Sequence, residues 1–402
     1  MDRIAGKKCE HQSFWSVSGI SKISTAVMML IILFNTIPVS GNSFFSQFVD
    51  PRDGKFDMSQ WLAGRTGFLP IPILISDPAV GYGGGLGLAF FHNSKDDHLE
   101  AVGEDEILSL PPSVSFLVGA GTENGSWLGA GGHFGSWKND SIRYTGTAGY
   151  ADFNLKFYGI DPDQAPSDDN GFKFNIRGLL FLQELTFRIR ESNFFLGGRY
   201  SYFNATTETD IFDSIPGIPN DELDDATGGL GLIINYDSRD NIISPSDGHL
   251  VKLHTIFYNE AFGGDYNYGK FKASSYSYWP ILDIVVLGVR LEGDFISGDA
   301  PFYDVPYIDM RGIPALRYQG ENVIVTELDV RWDITYRWSL VGFGGSGWTA
   351  DSISDFGDES AKFAGGGGFR YLIARRFGLR VGLDVAVGPE DTVLYMGVGS
   401  AW

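Results

Sequence analysis

The chain has 402 residues, with 30 basic against 50 acidic side chains and a formal net charge of −20. That balance excludes nucleic acid as a partner, because phosphate backbones are gripped by clustered Lys and Arg. Its 53 glycines and 14% aromatic content suit strands and tight turns, and the modest 43% hydrophobic fraction fits a barrel that places apolar residues at alternate positions.

Lys7, Lys8 and Lys22 precede an apolar run from Ile23 to Phe34, and Pro38, Val39, Ser40 and Gly41 follow it. A basic start, a short apolar core and small exit residues predict a secretory signal peptide over residues 1–41. The run is too short to span a bilayer as a helix, which takes ~20 residues. The single cysteine, Cys9, lies before the cut, so the mature chain is expected to lack disulfides, thiolate chemistry and Cys-based metal sites. Residues 42–66 are expected to form a short periplasmic lead, with Asp57-Met58-Ser59-Gln60 as a capping box opening a helical turn through Leu62. Repeated αβ modules do not fit into that lead.

From Phe68 on, alternating segments are punctuated by Gly, Pro, Asn and Asp clusters. They predict strands at about 68–76, 81–92, 113–122, 126–136, 142–158, 171–189, 193–206 and 227–238. Eight more follow at about 248–258, 265–279, 284–297, 322–334, 338–349, 362–373, 378–388 and 392–402. The expected fold class is all-β: a 16-stranded antiparallel transmembrane β-barrel over residues 67–402. With the first strand running outward, the acidic connections 159–170, 207–226, 298–321 and 350–361 are extracellular and the short ones at 335–337 and 374–377 periplasmic. The acidic stretch 93–112 breaks that pattern as a long periplasmic connection.

Strand 12 alternates most cleanly. Ile324, Thr326, Leu328, Val330, Trp332 and Ile334 share one face, and Val325, Glu327, Asp329, Arg331 and Asp333 the other. Strand 11 puts Arg290, Glu292 and Asp294 inward, strand 14 Arg370, and strand 15 Arg380 and Asp384. A charged lumen and an apolar lipid face follow, since Arg at the lipid midplane costs ~2–4 kcal/mol.

Four pieces then carry a family likeness. They are Asp237-Ser238-Arg239-Asp240-Asn241 with Pro245 and Gly248; Gly263-Gly264-Asp265; Met310-Arg311-Gly312-Ile313; and Gly366-Gly367-Gly368-Phe369-Arg370-Tyr371 through Arg380, Asp384 and Trp402. In that order they resemble the BamA/TamA-like superfamily of outer-membrane barrels, also called the bacterial surface antigen family. The likeness covers about 230–402 specifically and 68–229 only in architecture. It implies that the Arg-Gly loop folds back into the lumen. It also implies a role in membrane-protein insertion, translocation or outer-membrane biogenesis, in the cell outer membrane. Two departures stand out. Ile313 replaces the aromatic of V-R-G-F, and Phe343-Gly344-Gly345-Ser346-Gly347 replaces F-x-D-x-G, so Gly345 stands where the Asp that grips the arginine is expected. Glu327, Asp329, Asp333 and Asp384 are the replacement partners for Arg311, Asp384 first. The member is also expected to lack the family's N-terminal periplasmic repeats, which a periplasmic partner protein would supply.

Arg suits such a lock because its fork pairs carboxylates bidentately, and Gly312 lets the backbone turn where a Cβ would clash. Pro70 and Pro72 bare one edge of strand 1, and Gly397 and Gly399 weaken strand 16, making a candidate lateral seam if the bare edge faces strand 16. Trp402, after Leu394, Met396 and Val398, reads as a C-terminal assembly signal and as a lipid-facing interfacial aromatic.

No enzyme is expected. The glycine run 81–87 lacks a following Gly-Lys-Ser/Thr, the histidines are scattered, and no outward His–Ser pair with a third polar group stands out for a phospholipase. No cofactor or metal is expected. The expected partners are the lipid bilayer and lipopolysaccharide; the acidic external loops read first as plain solvated loops, and alternatively as bridges through divalent cations to lipopolysaccharide phosphates. The alternative to an assembly or translocation role is a passive pore or structural barrel.

Overall fold

The computed structural model describes residues 44–63, 68–92, 113–157, 172–209, 223–357 and 359–402. The signal peptide 1–41, the connections 93–112 and 159–170, and most of 207–226 lie outside these residues. Residues up to Met58 form a unit of their own. Its described part is a 3-10 turn, Phe44–Phe48, and a small hairpin in which Val49 bridges Phe56. The Asp50 amide donates to Lys55 O at 2.9 Å, and the Phe48 and Phe56 rings stack at 6.1 Å.

The second unit opens on one helical turn, α1 (Ser59–Ala63), as the capping box suggests. Sixteen strands follow. They are β1 (Phe68–Ile75), β2 (Gly83–His92), β3 (Ser113–Thr122), β4 (Trp127–Trp137), β5 (Ile142–Phe157), β6 (Phe172–Arg188), β7 (Phe194–Thr209) and β8 (Leu223–Asp237). The second half is β9 (Gly248–Tyr258), β10 (Tyr268–Leu282), β11 (Val285–Gly298), β12 (Asn322–Asp333), β13 (Trp338–Ala350), β14 (Lys362–Ala374), β15 (Leu379–Val387) and β16 (Thr392–Val398). Each pairs antiparallel with its sequence neighbour in one sheet ordered β1 to β16. Several boundaries differ from expectation, β10 among them, which is displaced by three residues at each end. β7 and β8 run further into their shared connection, and β16 ends at Val398 rather than at Trp402.

Alternation sets the two faces. Leu328, Trp332, Leu291 and Val385 are exposed on the outside, and Glu327, Arg290, Glu292 and Asp384 are buried inside. Exposed Trp137, Trp279, Trp332 and Tyr336 collect at the end that carries the short turns, forming an aromatic girdle.

The core lies inside the barrel, around the connection from β11 to β12. Ile308, Met310 and Ile313 pack with Val323 and Val325 of β12. Leu316 packs with Phe174, Ile176 and Ala205 of β6 and β7, joined by Phe302, Tyr303 and Tyr307. The same connection thus touches strands five or six places apart in the sheet, so it crosses the barrel interior. Tyr307, outside the strands, has its hydroxyl pKa pushed up to about 12 by burial, with the Asp309 and Asp77 carboxylates adding to the shift.

The seam differs from every other strand pair. Among the described residues β1 has a ladder only with β2. That ladder runs unbroken through Pro70 and Pro72, which have no N–H to give. Continuous pairing therefore requires their nitrogens to point away from β2, onto the edge that faces β16. Across that edge Ser76 Oγ donates to Leu394 O at 2.6 Å and accepts from Leu394 N at 2.9 Å.

Candidate functional site

Strands β11 to β15 bring a set of charges together in the lumen. Arg311 donates to Glu327 Oε1 at 3.2 Å, to Asp329 Oδ2 at 3.1 Å and to Asp384 Oδ2 at 3.2 Å. Its guanidinium carbon sits 3.5 Å from the centroid of the Phe343 ring. Three of the four expected replacement carboxylates hold the arginine. The fourth, Asp333, instead accepts from Ser339 Oγ at 2.5 Å and lies 3.6 Å from Arg380 Nη2.

The partners of Arg311 are themselves shared. Glu327 Oε2 accepts from Arg290 Nη1 at 2.7 Å, and Arg290 also pairs with Glu292. Asp384 takes two bonds from Arg370, at 2.5 and 2.7 Å. Three arginines and four carboxylates thus form one network, each charge paired with good geometry. Such burial is tolerated only on those terms.

Glycines make room for it. Gly345 faces Glu327 across the β12–β13 ladder, and a Cβ there would come within 2.6 Å of Glu327 Cγ and 2.7 Å of Met310 Sδ. The carboxylate that the family pattern places on β13 is therefore supplied here from the opposite position on β12. A Cβ at Gly368 would meet Asp384 Oδ1 at 2.0 Å. Gly312 has φ +95°, and its amide donates to Tyr395 Oη of β16 at 3.0 Å. The Arg-Gly loop is thereby tied to the last strand as well as to the lumen wall.

The family turn after β8 is a second polar centre. Asp237 pairs with Arg239 at 2.9 Å and with Arg143 of β5 at 2.6 Å. Asp240 Oδ1 accepts from the amides of Asn241, Ser246 and Asp247 at 2.9, 2.9 and 3.1 Å, closing the turn on itself. Gly248, at φ +97°, leaves no room for a Cβ beside Ser238 O. Pro245 O accepts from Arg331 of β12 at 3.2 Å, and Asn241 Nδ2 donates to Phe377 O in the β14–β15 turn at 3.2 Å. The turn after β8 thus reaches strands on the far side of the ring, at the short-turn end.

Gly399 and Trp402 correct one expectation. Trp402 does not continue β16 toward lipid. At Gly399 the backbone takes φ +87°, and the Ser400 amide donates to Ile243 O of the family turn at 2.8 Å. Only glycine escapes strain in that conformation, and that is why the strand stops there. The chain then enters the lumen. Trp402 Nε1 donates to Glu327 Oε2 at 3.1 Å, and its carbonyl accepts from Tyr278 Oη at 2.9 Å. Gly397 pairs with Gly382 in the ladder to β15. Pro70 and Pro72 lie apart from the lock, on the outer wall.

A cavity of about 730 Å³ remains beside the network, lined among others by Arg199, Lys252, His254, Lys272 and Asp294. Two features were missed from the sequence. Arg290 was assigned to the lumen but not to Glu327. On the outer wall, Ser115 lies between His92 and His133, a juxtaposition that appears only once the register of β2, β3 and β4 is fixed.

Residues 136–308 match the Omp85 superfamily domain. No curated protein sequence matches the chain. Among solved structures it is similar to BamA from Haemophilus ducreyi lacking POTRA domains 1-3, with a TM-score of 0.52 and 12% identity over 95% of this chain and 79% of that one. It is also similar to CdiB from Escherichia coli, with a TM-score of 0.55 and 14% identity over 94% and 70%. For CdiB from Acinetobacter baumannii the TM-score is 0.53 and the identity 11%, over 82% of this chain but only 59% of that one. At these identities the structural likeness establishes the fold. The chain is thus a sixteen-stranded antiparallel barrel with the fold of BamA and CdiB, and its residues 136–308 carry a match to the Omp85 superfamily domain.

Proposed function

We propose that this barrel acts in the insertion or translocation of proteins at the outer membrane, with the Arg-Gly loop as a lumen plug and the β1–β16 edge as the part that opens. The observation that carries the reading is the contrast between two regions. Arg311 is fixed by three carboxylates and an aromatic face, whereas β1 and β16 lie side by side without a ladder, and Ser76, just past β1, supplies the hydrogen bonds to Leu394 among the described residues. A rigid, closed centre beside a weak seam suits lateral release of a strand into the bilayer, not free diffusion through the lumen. No covalent step is needed for that role. A periplasmic partner would deliver the client chain, and the acidic outer loops would face lipopolysaccharide.

The test is a disulfide between cysteines placed at 76 and 394, in a chain whose cut removes Cys9. Reconstituted in liposomes, the oxidised barrel is expected to lose its acceleration of outer-membrane-protein folding, and reduction to restore it. Equal acceleration in both states would remove the seam from the mechanism. Absence of acceleration in either state, with a large steady conductance, would favour the passive pore.

A further inference from the structure

The outer wall of β2 to β4 carries a group that neither the lock nor the seam uses. Ser115 Oγ lies 2.8 Å from His92 Nε2 and 2.9 Å from His133 Nδ1, and the imidazole centroids are 5.7 Å apart. A hydroxyl has one proton to donate. One imidazole therefore accepts it, and the other, in its N–H tautomer, donates to Oγ. Alternation places all three on the outside. Ser115 shares its face with Leu117, His133 with Trp127 and Trp137, and His92 with Leu86, all of them exposed. The site lies toward the short-turn end, where the aromatic girdle marks the boundary between hydrocarbon and headgroups.

Beside it the wall is cut away. Gly119 faces Gly129 across β3 and β4, and a Cβ on either would meet nothing within 4 Å. Exposed Leu86 and Tyr150 stand on the two sides of that pair, on β2 and β5. The result is a trough open to lipid that runs down to Leu117 and Ser115.

We propose that Ser115 is the nucleophile of a second, separate activity: hydrolysis of acyl esters of membrane lipids, with the acyl chain lying in the Gly119–Gly129 trough. His92 Nε2 is the base. His133 is held by its rings' contacts with Trp137 at 6.1 Å and Tyr144 at 6.3 Å, and it supplies the N–H. Ser115 Oγ attacks the ester carbonyl carbon while His92 takes the hydroxyl proton. The carbonyl π pair moves to oxygen, and the His133 N–H, released as the Oγ lone pair forms the new bond, is within reach of that oxyanion. Collapse expels the alcohol oxygen, which takes the proton from His92 and leaves acyl-Ser115. Water, deprotonated by His92, attacks the acyl carbon, and the proton returns to Oγ as the fatty acid departs.

The site rests on neither the plug nor the seam. The test uses the full chain folded in phospholipid micelles and a fluorophosphonate probe, with the labelled peptide identified by mass spectrometry. Wild type is expected to label at Ser115, Ser115→Ala not at all, and His92→Gln at least about a hundredfold more slowly, the usual loss of a general base. His133→Asn, which keeps an N–H near Oγ, is expected to label faster than His133→Ala. Arg311→Ala labels as wild type does. The proposal is overturned if wild type labels no faster than Ser115→Ala, or if His92→Gln, still heat-modifiable on gels, labels as fast as wild type.

Discussion

Glu327 and Gly345 stand opposite each other across β12 and β13, and the stem of Glu327 fills the space that a side chain at 345 would need. The absence of an aspartate at 345 is therefore not the loss of a lock. The same negative charge reaches Arg311 from the adjacent strand, 3.2 Å away.

That exchange can be run backwards. Gly345→Asp alone forces a side chain into Glu327 and adds a buried carboxylate, and overpacking costs about 1–3 kcal/mol before any charge repulsion. Glu327→Gly alone strips Arg290 and Arg311 of a shared partner. Together the two substitutions restore the family arrangement. The double variant is expected to unfold at a higher denaturant concentration than either single one, a coupling that a double-mutant cycle on heat-modifiability measures directly.

Trp402 ties the end of β16 to the same carboxylate. Trp402→Phe keeps an aromatic ring beside Tyr276 and Tyr278 but removes the indole N–H. A hydrogen bond to a charged group is worth about 1.5–3 kcal/mol. The variant is expected to lose stability in that range in wild type and much less in Glu327→Gln, where the acceptor is no longer charged.

The turn after β8 is expected to depend on Asp240. Asp240→Ala leaves the amides of Asn241, Ser246 and Asp247 without their acceptor. Each unsatisfied donor that stays out of water costs about 1–3 kcal/mol. Limited proteolysis of the folded barrel is expected to cut within residues 238–247 in the variant and to leave wild type whole at the same dose.

Asp77, in the turn after β1, gives a pH dependence outside the membrane-spanning strands. Burial raises its pKa; the Ala79 and Ala315 amides oppose the shift, and the Asp309 and Asp391 carboxylates add to it. A carboxyl whose folded pKa is raised favours the folded state when protonated, and that contribution is lost as pH rises through its folded pKa. Asp77→Asn is therefore expected to raise the thermal midpoint at pH 7 to 8 and to leave it nearly unchanged at pH 3. Equal gains at both pH values would remove Asp77 as the cause.

Much of this was legible in the sequence because a barrel repeats one local rule. Period-2 alternation located all sixteen strands and put Glu327, Asp329, Asp333 and Asp384 on the lumen face, but it took the family resemblance to bring Arg311 to them, and parity alone does not separate Asp333, which meets Ser339 and Arg380, from the other three. Parity fails where the backbone leaves the strand. Leu394, Met396, Val398 and Trp402 keep the alternation going, but the left-handed turn at Gly399 sends the tail inward. It also says nothing about which residues meet across strands. Arg290 with Glu327, and Ser115 with two histidines 23 and 18 residues away, depend on register, which is a property of pairs.

The plug is tested most directly by single-channel recording of Arg311→Ala beside wild type. Removing one partner from a buried ionic network costs about 3–5 kcal/mol, enough to free the loop from Glu327, Asp329 and Asp384. Wild type is expected to be nearly silent with rare brief openings, and Arg311→Ala to show a large and sustained conductance. A conductance in Arg311→Ala that matches wild type, with heat-modifiability also unchanged, would contradict the account.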